Sequence, residues 1–390
     1  MMFLRKKFLK YYAQPSIEFP NRFSKREYGF LFFNEQHMIR HVSFARREEL
    51  LSFLRRNAPA HVYYSSAYYE KPDAPTMPEK KWLGADLIFD LDADHIPGTE
   101  KMGYEKMLEV VKNELKKLVS FLIDDFGFEE NLSIFFSGGR GYHCHVNHPK
   151  ILQLKSQERR EIVDYITARG LNMSSILKER VVHRDGKNIE TSLVMPSIDE
   201  PGWRGRMSRE MFNFFEKIKK MKKEEAVNYL LSFEGIGEKT AEEAWIDLQD
   251  ERRMERMKQG LVDLTTPIKK CALRVVEECR VHGLGRPDEP VTGDIRRLIR
   301  LPGSLHGKTG FRVTRVKIDG IDEFDPLRDA IVFGDEAVKV KILKPYKVKM
   351  KGEFFSLKEG ETEVPEYLAC LLYTSPSPRD RTRSRMPSSA

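Results

Sequence analysis

The stretch DLIFDLDADH, Asp86 to His95, sets the strictest condition on how this chain can fold. Side chains alternate along a strand, so Leu87, Phe89 and Leu91 share one face while Asp90, Asp92 and Asp94 share the other. Such a strand has a core on one side and, on the other, a surface that must meet either water or a cation. Asp90 and Asp92 project to the same side with Cα atoms about 7 Å apart, because a strand rises ~3.3 Å per residue. Hard oxygen ligands suit Mg²⁺ or Mn²⁺, and two such ions about 3.5–4 Å apart can activate a hydroxyl and stabilise leaving pyrophosphate. For a bare pair of acids the alternative is an edge strand whose carboxylates simply face solvent.

Two further segments carry chemistry that would complement such acids. In SGGRGYHCHV, Ser137 to Val146, the glycines permit a tight turn whose backbone amides can approach an anion. Arg140 and His143 add donors for phosphate oxygens, while Cys144 and Val146 fit the core side of a strand. In RLIRLPGSLHGKTG, Arg297 to Gly310, a basic strand leads through a Pro-Gly turn to His306 and Lys308, which face the same way on an extended chain. A plain hairpin with an exposed Arg, or a solvated basic loop, would use the same residues with no ligand. Upstream, Asp288 in RPDEPVTGD can serve as a third carboxylate, and position alone does not choose it over Asp294.

Around these segments the periodicity describes an α+β protein. EYGFLFF (27–33) and HVYYSSAYY (61–69) read as strands with a helix over Ser43–Arg55 between them, and Leu108, Val111, Leu115, Leu118 and Leu122 follow helical spacing. Charge-rich helical patterns fill residues 151–264, and strand signals resume with FRVTRVKI and VKVKILKPYKVK. The expected organisation is therefore a core formed by 1–150 and 265–369, interrupted by a helical insertion over 151–264. Within the insertion FEGIGEKTAEEAW, Phe233 to Trp245, is similar to the hairpin of helix-hairpin-helix modules, and is equally readable as a structural turn. From Cys370 the sequence CLLYTSPSPRDRTRSRMPSSA drops this periodicity and resembles a translated sequencing adapter, so 370–390 is expected to be foreign.

Lys and Arg total 67 against 59 Asp and Glu, a net charge of +8 that falls to +5 without the tail's four Arg and one Asp. The surplus suits a polyanionic partner. No apolar run approaches the ~20 residues needed to span a bilayer, which predicts a cytoplasmic protein without membrane association. The four cysteines, Cys144, Cys271, Cys279 and Cys370, form no CxxC pair, so neither a disulfide framework nor structural zinc is supported.

Taken together, REYGFLFF, HVYYSSAYYEKP, FDLDAD, SGGRGYHCHV and RLIRLPGSLHGKTG resemble, in that order, the catalytic (small) subunit of archaeal and eukaryotic DNA primases within the primase-polymerase superfamily. The resemblance implies an RRM-like core sheet flanked by helices, with Asp90, Asp92 and Asp288 as the metal ligands. It implies that Ser137, Arg140 and His143 hold the nucleotide's phosphates, with Arg300, His306 and Lys308 opposite, and that Arg40 also touches the triphosphate through a match needing a one-residue gap. The implied activity is template-directed primer synthesis on single-stranded DNA from NTPs and dNTPs, alongside a separate large subunit carrying an iron–sulfur cluster. A repair or translesion primase-polymerase that extends existing ends is the nearest alternative. A non-catalytic RRM-like binder would leave the acids beside a phosphate cradle unexplained.

Overall fold

Aromatic and β-branched runs become strands where one face finds a core. The computed structural model describes residues 2–33, 35–172, 176–185, 188–262 and 266–374. Its central strands are, in chain order, β1 (Tyr28–Leu31), β2 (Ile39–Val42), β3 (His61–Ser65), β4 (Leu87–Asp92), β5 (Leu132–Phe136), β6 (Gly141–Val146), β7 (Leu298–Arg300) and β8 (Thr314–Val316). They pair into two four-stranded antiparallel sheets, ordered β7-β3-β1-β2 and β8-β5-β6-β4. With the helices around them, this is the α+β class expected from the sequence.

Three helices are set by the apolar spacing and support the sheets. Helix α1 (Met2–Ala13) buries Leu4, Phe8 and Tyr12. Its Tyr12 hydroxyl accepts from the Leu305 amide at 3.1 Å and its Tyr11 hydroxyl donates to the Gly303 carbonyl at 2.6 Å, so the helix anchors the loop after β7. Helix α2 (Arg47–Asn57) buries Leu50 and Leu54 and packs Phe53 against Phe30 of β1. It starts four residues later than the sequence spacing suggests, because Glu49 turns back to accept from the Ala45 and Arg46 amides. Helix α3 (Tyr104–Ser120) buries Leu108, Val111, Leu115 and Leu118 along one stripe, as expected.

Buried polar bonds join the two sheets. Asp86, immediately before β4, takes a 2.5 Å ion pair from Arg26 and a hydrogen bond from the Tyr68 hydroxyl, while Arg26 also donates to the carbonyls of Ser65 and Ser66 at 2.7 and 2.8 Å. The first acid of the opening stretch is thus structural, and only the later ones face outward. Arg159, 1% exposed, donates to the carbonyls of Asp86, Ala85 and Leu154 at 2.7, 2.8 and 3.0 Å.

The chain divides into two compact units, one of 1–119, 128–163 and 286–390 and one of 120–127 and 164–285. The second unit takes 120–127 together with 164–285, where the sequence reading set 151–264. The Arg159 bonds keep the start of α4 (Ser156–Ile166) in the first unit, and α8 (Thr266–Gly283) packs on α5 (Gly202–Lys220) and α7 (Glu238–Leu248), the latter following α6 (Lys223–Leu231), within the second. Nor is the insertion wholly helical, since Lys178–Asp185 pairs antiparallel with Asn188–Val194. The glycine turn of Phe233–Trp245 joins α6 to α7, with Gly235 at φ +83°. The last helix, Glu366–Thr374, buries Tyr367 through Leu371, and the rest of the expected foreign tail, 375–390, lies outside the described residues. Among the described residues no helix is long and apolar enough to cross a membrane.

Replacing Arg159 by Ala leaves three carbonyls without a charged donor, and the expected loss is about 3 kcal/mol in urea unfolding. Arg160→Ala, at an exposed position on the same helix, should cost under about 0.5 kcal/mol, and equal losses would contradict the anchoring role.

Candidate active site

The register between β4 and β6 creates the site. Asp90 lies opposite His143 and Asp92 opposite Gly141, while Phe89 and Leu91 on the other face meet Cys144 and Tyr142 in the core. The pairing at Gly141 demands glycine, since a Cβ there would fall 2.0 Å from the Leu91 carbonyl oxygen. The third carboxylate arrives from far along the chain. The amide of Asp288 donates to the Asp90 carbonyl at 2.9 Å, which fixes the loop carrying Asp288 to β4. Asp294 instead accepts from the Arg296 amide at 2.8 Å.

These acids repel one another. Burial is the largest influence on Asp90, followed by the Asp92 charge; with Asp288 they outweigh the opposing pull of Arg297 and Arg300, and the carboxyl is pushed up to about 7. Among the described residues no three His, Cys, Asp or Glu side chains close into a ready-made cation cage. The donor set is hard oxygen, the chemistry that fits a divalent ion such as Mg²⁺. Around the rim, His95 Nε2 stands 3.5 Å from Asp288, and Arg140 pairs with Asp94 while approaching Asp92 at 3.8 Å.

A cradle for an anion adjoins the carboxylates. After β5 the chain turns through Ser137–Gly141, with Gly138 at φ +77° and a Cβ at that position only 2.8 Å from His306 Cβ. The Gly139 amide points back to Ser137 Oγ at 3.3 Å, and the Tyr104 hydroxyl from α3 holds the Gly139 carbonyl at 2.6 Å. Opposite, His306 is locked: its Nδ1 accepts from the Lys308 amide at 3.3 Å, and the Thr309 hydroxyl, which donates to the Gly138 carbonyl, lies 3.2 Å from the same nitrogen. Because a backbone N–H can only donate, Nδ1 is the acceptor and Nε2 carries the proton. Burial and then the Arg300 charge hold His306 well below the usual histidine range, so the ring is a neutral donor. His143 is likewise held low, by burial and then His145, with Nε2 at 3.5 Å from Asp90 and a buried Nδ1 without a hydrogen-bond partner.

Arg300 is steered by a residue the sequence reading did not single out. His61 Nδ1 meets the Arg300 guanidinium at 2.6 Å and accepts from the Gly307 amide at 3.2 Å, tying β3 to both the basic strand and the following loop. Arg297, His95 and Tyr104 also belong to the site and were missed. Arg297 opens the quoted basic segment and His95 closes the quoted acidic stretch, so both lay inside segments already marked; nothing local marks Tyr104. Lys308 is exposed beside His306. Arg40 is the exception among the expected residues. Its guanidinium pairs with buried Glu27 at 3.1 Å, which also holds Lys80 at 2.6 Å, and no contact among the described residues brings it to the carboxylates or the glycine turn.

Residues 89–318 match the family model for the DNA primase small subunit, a span that begins inside β4 and ends just past β8. DNA primase small subunits of three organisms are also similar to this chain. That of Methanococcoides burtonii is 47% identical over 376 residues, covering 95% of this chain and 96% of the relative. That of Methanothrix thermoacetophila is 44% identical over 384 residues, with the same coverage, 95% and 96%. The third, from Methanosarcina barkeri, is 41% identical over 397 residues, covering 95% and 94%. The chain belongs to the DNA primase small subunit family. The match to this primase family takes in Asp90, Asp92, Asp288, the glycine turn, Arg300, His306 and Lys308, and it spans the whole second unit as well.

In metal-free protein, native Asp90 keeps its proton up to about pH 7 whereas the unfolded chain sheds it near its ordinary value of 3.8, so stability falls as pH rises through that window. Asp90→Asn removes the penalty. In urea unfolding with EDTA, its advantage over the parent should grow between pH 5 and pH 8 by on the order of 2 kcal/mol. An advantage that is constant with pH would show that the Asp90 carboxyl is not raised by burial and the neighbouring acids.

Proposed function

We propose that this primase subunit is a nucleotidyltransferase that makes short RNA or DNA primers on single-stranded DNA. A 3′-hydroxyl oxygen attacks the α-phosphate of a bound NTP or dNTP, the α–β phosphoanhydride bond breaks, and pyrophosphate leaves. The observation that carries this reading is the meeting of Asp90, Asp92 and Asp288 with the Ser137–Arg140 turn and the neutral His306 donor. Two Mg²⁺ or Mn²⁺ ions held by the three carboxylates would supply Lewis-acid activation of the hydroxyl and charge neutralisation on the leaving group.

The chain's own residues bind and orient the triphosphate. His306 donates from Nε2 to a non-bridging oxygen. Arg140 exchanges its hold on Asp94 for phosphate oxygens, which its planar fork grips at two points. The glycine turn lets backbone approach the phosphates with no side chain in the way. Arg300, held by His61, and Lys308 close the opposite wall. His143 donates from a neutral ring beside Asp90, and Arg40 is left with Glu27. The family's designation as a small subunit supports a separate large subunit as partner, with the iron–sulfur cluster in that chain, and the protein works in the cytoplasm on free nucleotides.

Asp92→Ala should abolish primer synthesis from free nucleotides, a loss of at least about 10³-fold, with circular dichroism unchanged. The assay supplies single-stranded DNA, labelled NTPs or dNTPs and Mn²⁺, and no primer. Activity retained by the variant would overturn the carboxylate assignment. Parent protein that extends supplied ends but never starts one would replace primer synthesis by end extension.

A further inference from the structure

One basic surface has no part in the chemistry above. Residues 337–358 contain seven lysines and a single acid, Glu353. Within this run Tyr346–Met350 and Glu353–Leu357 form an antiparallel hairpin. Its two-residue turn has both φ values positive, Lys351 at +49° and Gly352 at +85°, a geometry that fits the twist of tightly joined strands. Alternation sorts the hairpin into two faces. Val348 and Met350 are buried, and Phe355 on the same side stacks edge-on with Tyr367 of the last helix. On the opposite side Lys347 lies across from Ser356 and Lys349 across from Phe354.

That outer face is unusual for a surface. Phe354 is 67% exposed, and Leu343, just before the hairpin, is 75% exposed. No ion pair among the described residues engages Lys347 or Lys349, whereas Lys351 is paired with Asp335 at 2.8 Å and Lys339 stands 4.0 Å from Glu363. An exposed aromatic ring between unpaired cations, with no acid on the same face, complements a single-stranded polyanion with unstacked bases. A protein partner would favour aromatic and Arg groups in a depleted-Lys surface. The hairpin also starts close to the site: the Tyr346 hydroxyl acts electrostatically on Tyr104, which holds the Gly139 carbonyl of the phosphate-cradling turn.

We propose that the Lys347–Lys349–Phe354 face of this hairpin binds the single-stranded DNA template beside the catalytic cleft, Phe354 stacking on a base and the two lysines holding flanking phosphates. The assignment of this strand as template rests on the primase reading above; the binding face itself does not. Contacts of this kind read no sequence, so affinity should depend on salt and hardly on base identity.

The test uses the full chain and a fluorescein-labelled oligodeoxythymidylate in anisotropy titrations. Phe354→Ala should weaken binding about tenfold. The Lys347→Ala/Lys349→Ala double variant should lower the slope of log affinity against log salt by about 1.4, two phosphate contacts at ~0.7 each. Affinity for free nucleotide should not change in either, and primer synthesis should recover when template concentration is raised. Unaltered oligonucleotide binding in both variants overturns the proposal, as does unaltered binding combined with loss of association to the large subunit, which would assign the face to a protein. Parent protein that binds the oligonucleotide through this face yet makes no primer would sink the primase reading and leave the binding face standing.

Discussion

The pairing of β4 with β6 is the constraint on which the rest of the molecule depends. It sets Asp90 against His143 and Asp92 against Gly141, so that the acids and the glycine turn belong to one ladder and cannot drift apart. A slip of one residue would turn every carboxylate into the core and every apolar side chain out of it. Several features guard that register. Gly141 admits only backbone in contact with Leu91, Asp86 and Arg26 pin the start of β4 to the first sheet, and Arg159 occupies the carbonyls that precede the strand.

The site is a concentration of like charge set beside a concentration of the opposite one. Asp90 is driven up by burial and by Asp92, while the histidines opposite are driven down by burial and by arginines, so the wall presents neutral donors alongside permanent cations. Both distortions cost stability in the isolated fold. Under the proposed function, a triphosphate with its cations would relieve both together. His61 shows how this arrangement is held in place: one neutral nitrogen accepts from both Arg300 and Gly307, aligning a cation on the neighbouring strand β7 and the loop that follows it.

Much of this was legible in the sequence because it depends on local periodicity. Alternation in DLIFDLDADH marked Asp90 and Asp92 as outward, and the glycines of SGGRGYHCHV marked a turn that backbone alone could fill. The long-range choice of Asp288 over Asp294 came from the family's spacing, and the structure puts the Asp288 amide on the Asp90 carbonyl. What was not legible depends on contacts between distant segments. The resemblance assigned Arg40 to the triphosphate through a gapped match, whereas in the structure it joins an ion cluster with Glu27 and Lys80, both fully buried. Two of the carbonyls bound by Arg159 likewise lie more than seventy residues upstream and leave no periodic trace that would divide the chain at 163.

The most direct measurement is anomalous diffraction from crystals grown with Mn²⁺ and a non-hydrolysable nucleoside triphosphate. The account predicts manganese peaks bounded by Asp90, Asp92 and Asp288, with the triphosphate lying against the Ser137–Arg140 turn and within hydrogen-bonding reach of His306 Nε2. Manganese bound elsewhere, or a triphosphate seated away from that turn, would contradict it.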